Sequence, residues 1–282
     1  MKSIFVSICG APNAGKSTLV NYLVGQKVTI VSPKVQTTRD VIRGILTEGD
    51  TQVVFLDTPG IFKPKRNLEK LIVKNAHSGI RDGQLVCLVI DGKVGIEKNA
   101  SFILHELKAK GRKVVVALNK VDELKDIKLI EALQKTFDPE IMLEIFPISA
   151  KTGKGVNALK EYFLAHAQED VWYYDSDDVT DRDFKFATSE ITREKLFVEL
   201  QEELPYNLYV ATDEIVNEGD FMSISQTVYV HKQSQKAIVI GKGGSMITRI
   251  VKDAAIDMKE LFEKPVQISI FVKVKEDWMS RL

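Results

Sequence analysis

Gly10-Ala11-Pro12-Asn13-Ala14-Gly15-Lys16-Ser17 decides how this chain is read. An apolar run, Ile4-Phe5-Val6-Ser7-Ile8-Cys9, leads into it, and a helix-like segment, Thr18-Leu19-Val20-Asn21-Tyr22-Leu23, leads out. G-x-x-x-x-G-K-S between a strand and a helix is the pattern of a phosphate-binding loop. Its glycines let consecutive backbone N–H groups converge on one spot. The helix N-terminus adds partial positive charge there. Gly10 to Ser17 together with Thr18 are therefore expected to cradle a nucleotide. Lys16 is expected to reach its β- and γ-phosphates and Ser17 to hold Mg2+.

Three further stretches select the base. Asp57-Thr58-Pro59-Gly60 ends the run Val53-Val54-Phe55-Leu56, with Ile61 next. An aspartate at a strand end suits the Mg2+ shell, and the Gly60 N–H suits a γ-phosphate. Asn119-Lys120-Val121-Asp122 ends the run Val114 to Leu118. A carboxylate only accepts hydrogen bonds. Guanine offers two adjacent donors, N1–H and the 2-amino group, where adenine has neither, so Asp122 selects GTP over ATP. The stem of Lys120 is expected to lie across the base. Ser149-Ala150-Lys151 follows Ile145-Phe146-Pro147-Ile148, and the Ala150 N–H is expected to meet guanine O6. All four motifs sit at the carboxyl ends of strand-like runs, the edge at which open parallel sheets bind ligands.

Gln36-Thr37-Thr38-Arg39-Asp40 lies before the next strand, where a threonine hydroxyl completes the Mg2+ shell of a switch GTPase. Thr38 is preferred over Thr37. The expected metal set is Ser17, Thr38 and Asp57, and the expected catalytic set Lys16, Thr38, Asp57 and Gly60. Ile61 stands where Ras-like proteins carry a water-orienting Gln, and an aliphatic side chain cannot orient water. Slow intrinsic hydrolysis is expected.

Length and composition bound the rest. The 282 residues suffice for two domains, and 44% apolar content supports ordinary cores. No window reaches the roughly 18 uninterrupted apolar residues of a membrane span. Met1-Lys2-Ser3 runs straight into a strand, which leaves no room for a signal peptide. Cys9 and Cys87 fall in apolar runs and read as buried thiols rather than a disulfide framework. A cytoplasmic protein is expected.

Residues 1–167 alternate strand and helix signals. Strands are expected at 4–9, 41–47, 52–57, 85–90, 113–118 and 144–148. Helices are expected at 16–24, 68–80, 97–109, 126–136 and 155–166. This is a βαβ pattern with a mostly parallel six-stranded sheet. The turn Glu48-Gly49-Asp50 makes one pair antiparallel. Switch-like loops cover 25–40 and 58–67, the second containing Lys63-Pro64-Lys65-Arg66.

Residues 168–183 hold seven acids and one base, Arg182, and read as a linker. From 184 to 282 the order is α-β-β-α-α-β. It comprises a helix over 184–203, strands over 206–216 and 221–231, a short apolar segment Ala237 to Ile240, a helix over 245–262 and a strand over 266–275.

Gly241-Lys242-Gly243-Gly244 lies between the last two helical segments. Lys242 is followed by Gly rather than Ser/Thr, so this is no second phosphate loop of the first kind. It fits the G-x-x-G with which KH modules clamp a single-stranded nucleic-acid backbone. Ile238, Val239, Ile240, Ile247 and Ile250 are candidates to wall a groove for bases. Residues 180–282 carry 14 Lys+Arg against 17 Asp+Glu. Yet no acid falls between Asp220 and Asp253, where Lys232, Lys236, Lys242, Arg249 and Lys252 cluster. A locally positive face is enough to neutralise phosphates. The RNA contacts are assigned to Lys232, Lys236, Ile240, Gly241, Lys242, Gly243, Gly244 and Arg249. The alternative is a GTPase whose C-terminal domain binds protein, with the G-x-x-G loop incidental. No Cys/His or paired-carboxylate constellation supports a nucleotide-modifying enzyme.

QTTRD, DTPG, NKVD and SAK followed by a KH-like domain resemble the Era family of bacterial ribosome-assembly GTPases, over essentially the whole chain. The resemblance implies an α/β P-loop GTPase domain followed by an α+β type II KH domain. It implies a monomer that binds GTP and Mg2+ and engages the single-stranded 3′ end of 16S rRNA in 30S subunit maturation. Peripheral association with the inner membrane is implied too. Related GTPases with Asn at the position of Asn13 use it to help hold K+; the alternative is that Asn13 only shapes the loop.

Overall fold

The apolar run before the phosphate loop forms β1, Lys2–Gly10, the centre of a twisted sheet. The computed structural model describes residues 1–32, 34, 37–62, 64, 67–95, 98–124, 130 and 138–275. Gln36, Lys63, Lys65, Arg66 and the helix expected at 126–136 (residue 130 apart) lie outside these residues. Two compact units emerge, Met1–Val31 with Val35–Asp181, and Ser32–Lys34 with Arg182–Leu282.

In the first unit β1 runs parallel to β3, Thr51–Asp57, on one side and to β4, Leu85–Asp91, on the other. Beyond β4 come β5, Val114–Asn119, and β6, Met142–Pro147, both parallel. β2, Ile42–Glu48, pairs antiparallel with β3 through the short turn its sequence demands. The strand order is β2-β3-β1-β4-β5-β6. β3 is buried at every position, as a strand covered on both faces must be.

Helices α1, Lys16–Val24, and α4, Val156–Ala165, seal one face through Leu19, Val20, Leu23, Leu159 and Phe163. Helices α2, Asn67–Asp82, and α3, Lys98–Ala109, seal the other through Ala76, Ile80, Ile103 and Leu107. Phe55 and Phe163 meet edge to face at 5.8 Å between centroids. Each such buried side chain stabilises the fold by about 1.5–3 kcal/mol.

Among the described residues the sheet has seven strands where the sequence reading expects six. The extra one is β7, Gln168–Glu169, antiparallel to the start of β1. It opens the acidic stretch read as a linker, and this stretch packs on the first unit as far as Asp181. The Gln52 side chain accepts from the N–H groups of Tyr173 and Tyr174 at 2.9 and 3.1 Å. Trp172 Nε1 donates to the Asp50 carbonyl, Thr180 bridges Gly44, and Asp181 pairs with Arg43.

The second unit runs α5, Phe184–Glu199, β8, Leu208–Asn217, β9, Met222–Val230, α6, Gln233–Ile240, α7, Ser245–Phe262, and β10, Val266–Val274. This is the α-β-β-α-α-β order read from the sequence. β9 is central, antiparallel to β8 and parallel to β10. Asp183 caps α5 by accepting from the Phe186 N–H at 2.8 Å. The helix ends at Glu199 rather than at 203, because Leu200 is already extended and Pro205 sits in a short 3-10 turn. Leu196, Val210, Val228, Val239 and Ile250 form its core.

Candidate functional site

The turn after β1 bends the chain back so that Lys16 opens α1. Gly15 has φ +97°, and a Cβ there would lie 2.2 Å from Asn119 Nδ2, so only glycine fits. Asn13 also adopts a left-handed conformation, φ +61°, which Asn tolerates better than most residues. Lys16 is buried, and its Nζ donates to the Ala11 carbonyl at 3.0 Å. Burial pulls its pKa down, while the charge of Asp57 opposes the shift.

Asp57, at the end of β3, is fully buried. Its Oδ2 accepts from Ser17 Oγ at 2.8 Å and from Thr29 Oγ1 at 3.1 Å. The Ser17 and Thr38 hydroxyls lie 3.1 Å apart. Asp57 Oδ1 is buried and has no hydrogen-bond partner. Burial pushes this carboxyl above its ordinary range, and Lys16 and the hydroxyls pull it back. An orphaned carboxylate oxygen beside two hydroxyls is the hard oxygen set that Mg2+ takes, so the residues fit that ion. Of the two candidate threonines, Thr38 is the one buried against Ser17.

The DTPG segment is tied to the phosphate loop. Thr58 Oγ1 donates to the Ile8 carbonyl at 2.9 Å, and the Ile61 N–H donates to the Gly10 carbonyl at 3.2 Å. Pro59 and Gly60 are buried, and Gly60 abuts Pro12. The Ile61 side chain belongs to the core with Ala76 and Ile80.

Asn119, at the end of β5, joins the remaining walls. Its Nδ2 donates to the Ala14 carbonyl at 2.8 Å, and its Oδ1 accepts from the Ala150 N–H at 2.8 Å. The sequence reading aims that N–H at guanine O6; in the structure Asn119 engages it. Lys120, expected across the base, pairs through Nζ with Asp91 Oδ2 at 2.6 Å. Val121 donates its N–H to the Ile148 carbonyl, and Asp122 is exposed in the turn that follows. Ser149 is buried and accepts from the Thr152 N–H, while Lys151 is exposed. The sequence reading gives Thr29 and Asp91 no role. The only signal for Thr29 is a hydroxyl inside the expected switch loop, and for Asp91 a carboxylate at a strand end.

In the second unit Gly241–Gly244 links α6 to α7, with φ of +77° at Gly241, +60° at Gly243 and +80° at Gly244. Lys232, Lys242 and Gly243 are exposed, and Lys236, Ile240, Gly241 and Gly244 are half-buried. Arg249, read as an RNA contact, pairs with Glu199 of α5 at 2.8 Å. Of the residues read as groove walls, Val239 and Ile250 are fully buried core. Ile240 and Ile247 pack partly on that core, and Ile238 stands 55% exposed. Cys9 and Cys87 are buried free thiols, and desolvation raises the Cys9 pKa to about 12. Among the described residues no His/Cys/Asp/Glu cluster forms a metal site.

Two family models match: 50S ribosome-binding GTPase over residues 5–120 and KH domain over residues 193–279. GTPase Era of Rhizobium meliloti (strain 1021) is 45% identical over 278 residues, covering 98% of this chain and 89% of its own. A crystal structure of Era in complex with MgGDPNP and nucleotides 1506–1542 of 16S ribosomal RNA is 33% identical with a TM-score of 0.92. It covers 100% of this chain and 96% of that one. A crystal structure of an Aquifex aeolicus Era variant bound to GDP.AlF4- matches equally, with a TM-score of 0.92 at 33% identity and the same coverage.

Proposed function

This chain belongs to the Era family of GTPases, and on that premise we propose that it binds and hydrolyses GTP in its first unit and grips the 3′ end of 16S rRNA with its second. The observation that carries the reading is the hydrogen-bonded assembly of the motif loops, Asn119 with Ala14 and Ala150 and Asp57 with Ser17.

Each residue has a role in this reading. The N–H groups of the phosphate loop and the Lys16 ammonium bind the phosphates. Ser17, Thr38 and Asp57 hold Mg2+, which when bound offsets phosphate charge. Gly60 offers its N–H to the γ-phosphate. Asp122 accepts from the two guanine donors, and ATP leaves it unpaired. Lys120 and the 149–151 loop border the base. Ile61, committed to the core, leaves the attacking water without a side-chain partner, so turnover is slow. Asn13 helps to place a K+ beside the phosphates.

Exposed Lys242 and the backbone of the Gly241–Gly244 loop take the RNA phosphates, with Lys232 and Lys236 alongside. Ile238 offers an exposed apolar surface for a base. The family reading extends to 30S subunit maturation in the cytoplasm, as a monomer, with peripheral contact at the inner membrane. No helix among the described residues is long and apolar enough to cross a membrane.

The test is a pair of titrations on the full chain. Fluorescent GTP and ATP analogues are compared with Mg2+ present, and single-stranded RNA carrying the 16S 3′ terminus is then added with GDPNP or GDP. Guanine preference and RNA binding that responds to the nucleotide are expected. RNA binding no tighter than to an unrelated strand overturns the RNA half and leaves a protein partner for the second unit.

A further inference from the structure

We propose that Thr29, held by Asn21, is a positioning residue that orients the Asp57 carboxylate for Mg2+; the inference rests on the reading of this site as a Mg2+–GTP site.

Ser17 and Asn21 are four residues apart and share one helix face. Ser17 Oγ reaches Asp57 Oδ2 directly at 2.8 Å. Asn21 acts one turn later on the chain that has just left the helix. Its Oδ1 accepts from the N–H groups of Val28 and Thr29, both at 3.0 Å, and its Nδ2 donates to the Thr29 carbonyl at 2.8 Å. Three hydrogen bonds from one side chain fix the backbone at Thr29. This aims the Thr29 hydroxyl at Asp57 Oδ2, 3.1 Å away.

The consequence lies in how the two carboxylate oxygens are divided. Oδ2 takes two donors, one from α1 and one from the expected switch loop, while Oδ1 is left buried and unpartnered. Two donors on one oxygen hold the carboxylate plane, so Oδ1 is the oxygen left for the metal shell. Ser17 and Thr38 are themselves metal-set hydroxyls. Thr29 belongs to neither that set nor the phosphate loop, and its proton can stay on Asp57 throughout. Thr29 and Asp57 are both buried, where a hydrogen bond to a charged group counts for more than in water. Burial also works against ionisation of Asp57, and the Thr29 hydroxyl is one of the groups that counters it.

The experiment compares the parent with Thr29→Val, which keeps the shape and loses the hydroxyl, and Thr29→Ser, which restores it. The readout is the Mg2+ concentration giving half-maximal binding of fluorescent GDPNP, with nucleotide affinity in EDTA as the reference. Thr29→Val is expected to need about tenfold more Mg2+, as for a lost hydrogen bond to a charged group. Its affinity in EDTA stays at the parent value, and Thr29→Ser stays within about twofold of the parent in both. Asn21→Ala is expected to shift in the same direction as Thr29→Val. A parental Mg2+ requirement in Thr29→Val overturns the inference. So does an equal loss with and without Mg2+, which marks a merely structural role, or a Thr29→Ser that fails as Thr29→Val does. A parent whose GDPNP binding ignores Mg2+ overturns the site reading beneath it.

Discussion

The Asn119 side chain holds the Ala14 carbonyl at 2.8 Å across 105 residues of sequence. The same amide accepts from the Ala150 N–H at 2.8 Å, so one residue at the end of β5 sets the spacing between the phosphate loop and the 149–151 loop. Both partners are buried backbone groups, which leaves water no route to replace them.

Asn119→Ala orphans those two groups. At about 1–3 kcal/mol for each buried group left unpaired, a loss of about 2–6 kcal/mol is expected. GTP affinity should fall at least about tenfold as the two loops separate. Urea unfolding and nucleotide titration check both. A variant as stable as the parent would mean that Asn119 does not clamp the loops in solution.

Asp122→Asn should weaken GTP binding and admit xanthine nucleotides. Asp122 is exposed at the turn after β5, with no structural burden to confuse the result. An amide can donate to the oxo group at xanthine C2, where a carboxylate repels it. GTP affinity is expected to drop by about two orders of magnitude, with XTP overtaking it. Competition between GTP and XTP for the two proteins checks this, and an unchanged ranking would take Asp122 away from the base.

The raised pKa of Asp57 gives the nucleotide-free protein a pH signature. Its unfolded value is 3.8, and burial lifts it in the fold. The folded state therefore binds this proton more tightly than the unfolded chain. The stability contributed by Asp57 is largest when it is protonated and is lost as pH rises from the unfolded value through the folded one. Asp57→Asn cannot titrate. The variant should gain on the parent in urea unfolding as pH rises from about 4 without Mg2+. A parent–variant difference that stays flat would show the carboxyl to be unshifted.

Replacing Lys242 and Gly243 together with Asp should abolish RNA binding and leave GTP affinity alone. A Cβ at Gly243 meets nothing within 4 Å, and its φ of +60° is one that Asp tolerates. The fold should survive while two carboxylates face the phosphates. Parental RNA binding should also fall steeply with salt, as counterions compete for the backbone. Filter binding across a salt series checks both. Undiminished binding by the double variant would move the RNA site away from this loop. Arg249 should matter less than its sequence position suggests, because Glu199 already engages it.

Local chemistry made most of this molecule legible. Gly10 to Ser17, Asp57, Asn119 to Asp122 and Ser149 to Lys151 each follow an apolar run. In a parallel sheet, runs that end together bring their loops together. The α-β-β-α-α-β order beyond residue 184 was readable for the same reason, since periodicity and glycine breaks are properties of neighbouring residues. The helix over 184–203 was read too long because nothing within it signals a stop before Pro205; the extended Leu200 ends it.

Contacts between residues far apart in the chain depended on packing. The sequence shows that residues 168–183 are acidic, but not that Gln52 receives two of their N–H groups. It shows five isoleucines and valines around a glycine loop, but not that Ile238 is exposed while Val239 is sealed in the core. A short helix turns adjacent positions to different sides, and only the packed neighbours say which side is inside. Nor does it show that Thr29 returns to Asp57, because nothing local to either residue names the other. Residue type and local spacing alone were enough to propose a chemistry for each loop. The fold decided which oxygens and N–H groups remain free to use it, because hydrogen bonds are filled by whichever partners packing brings within 3 Å or so.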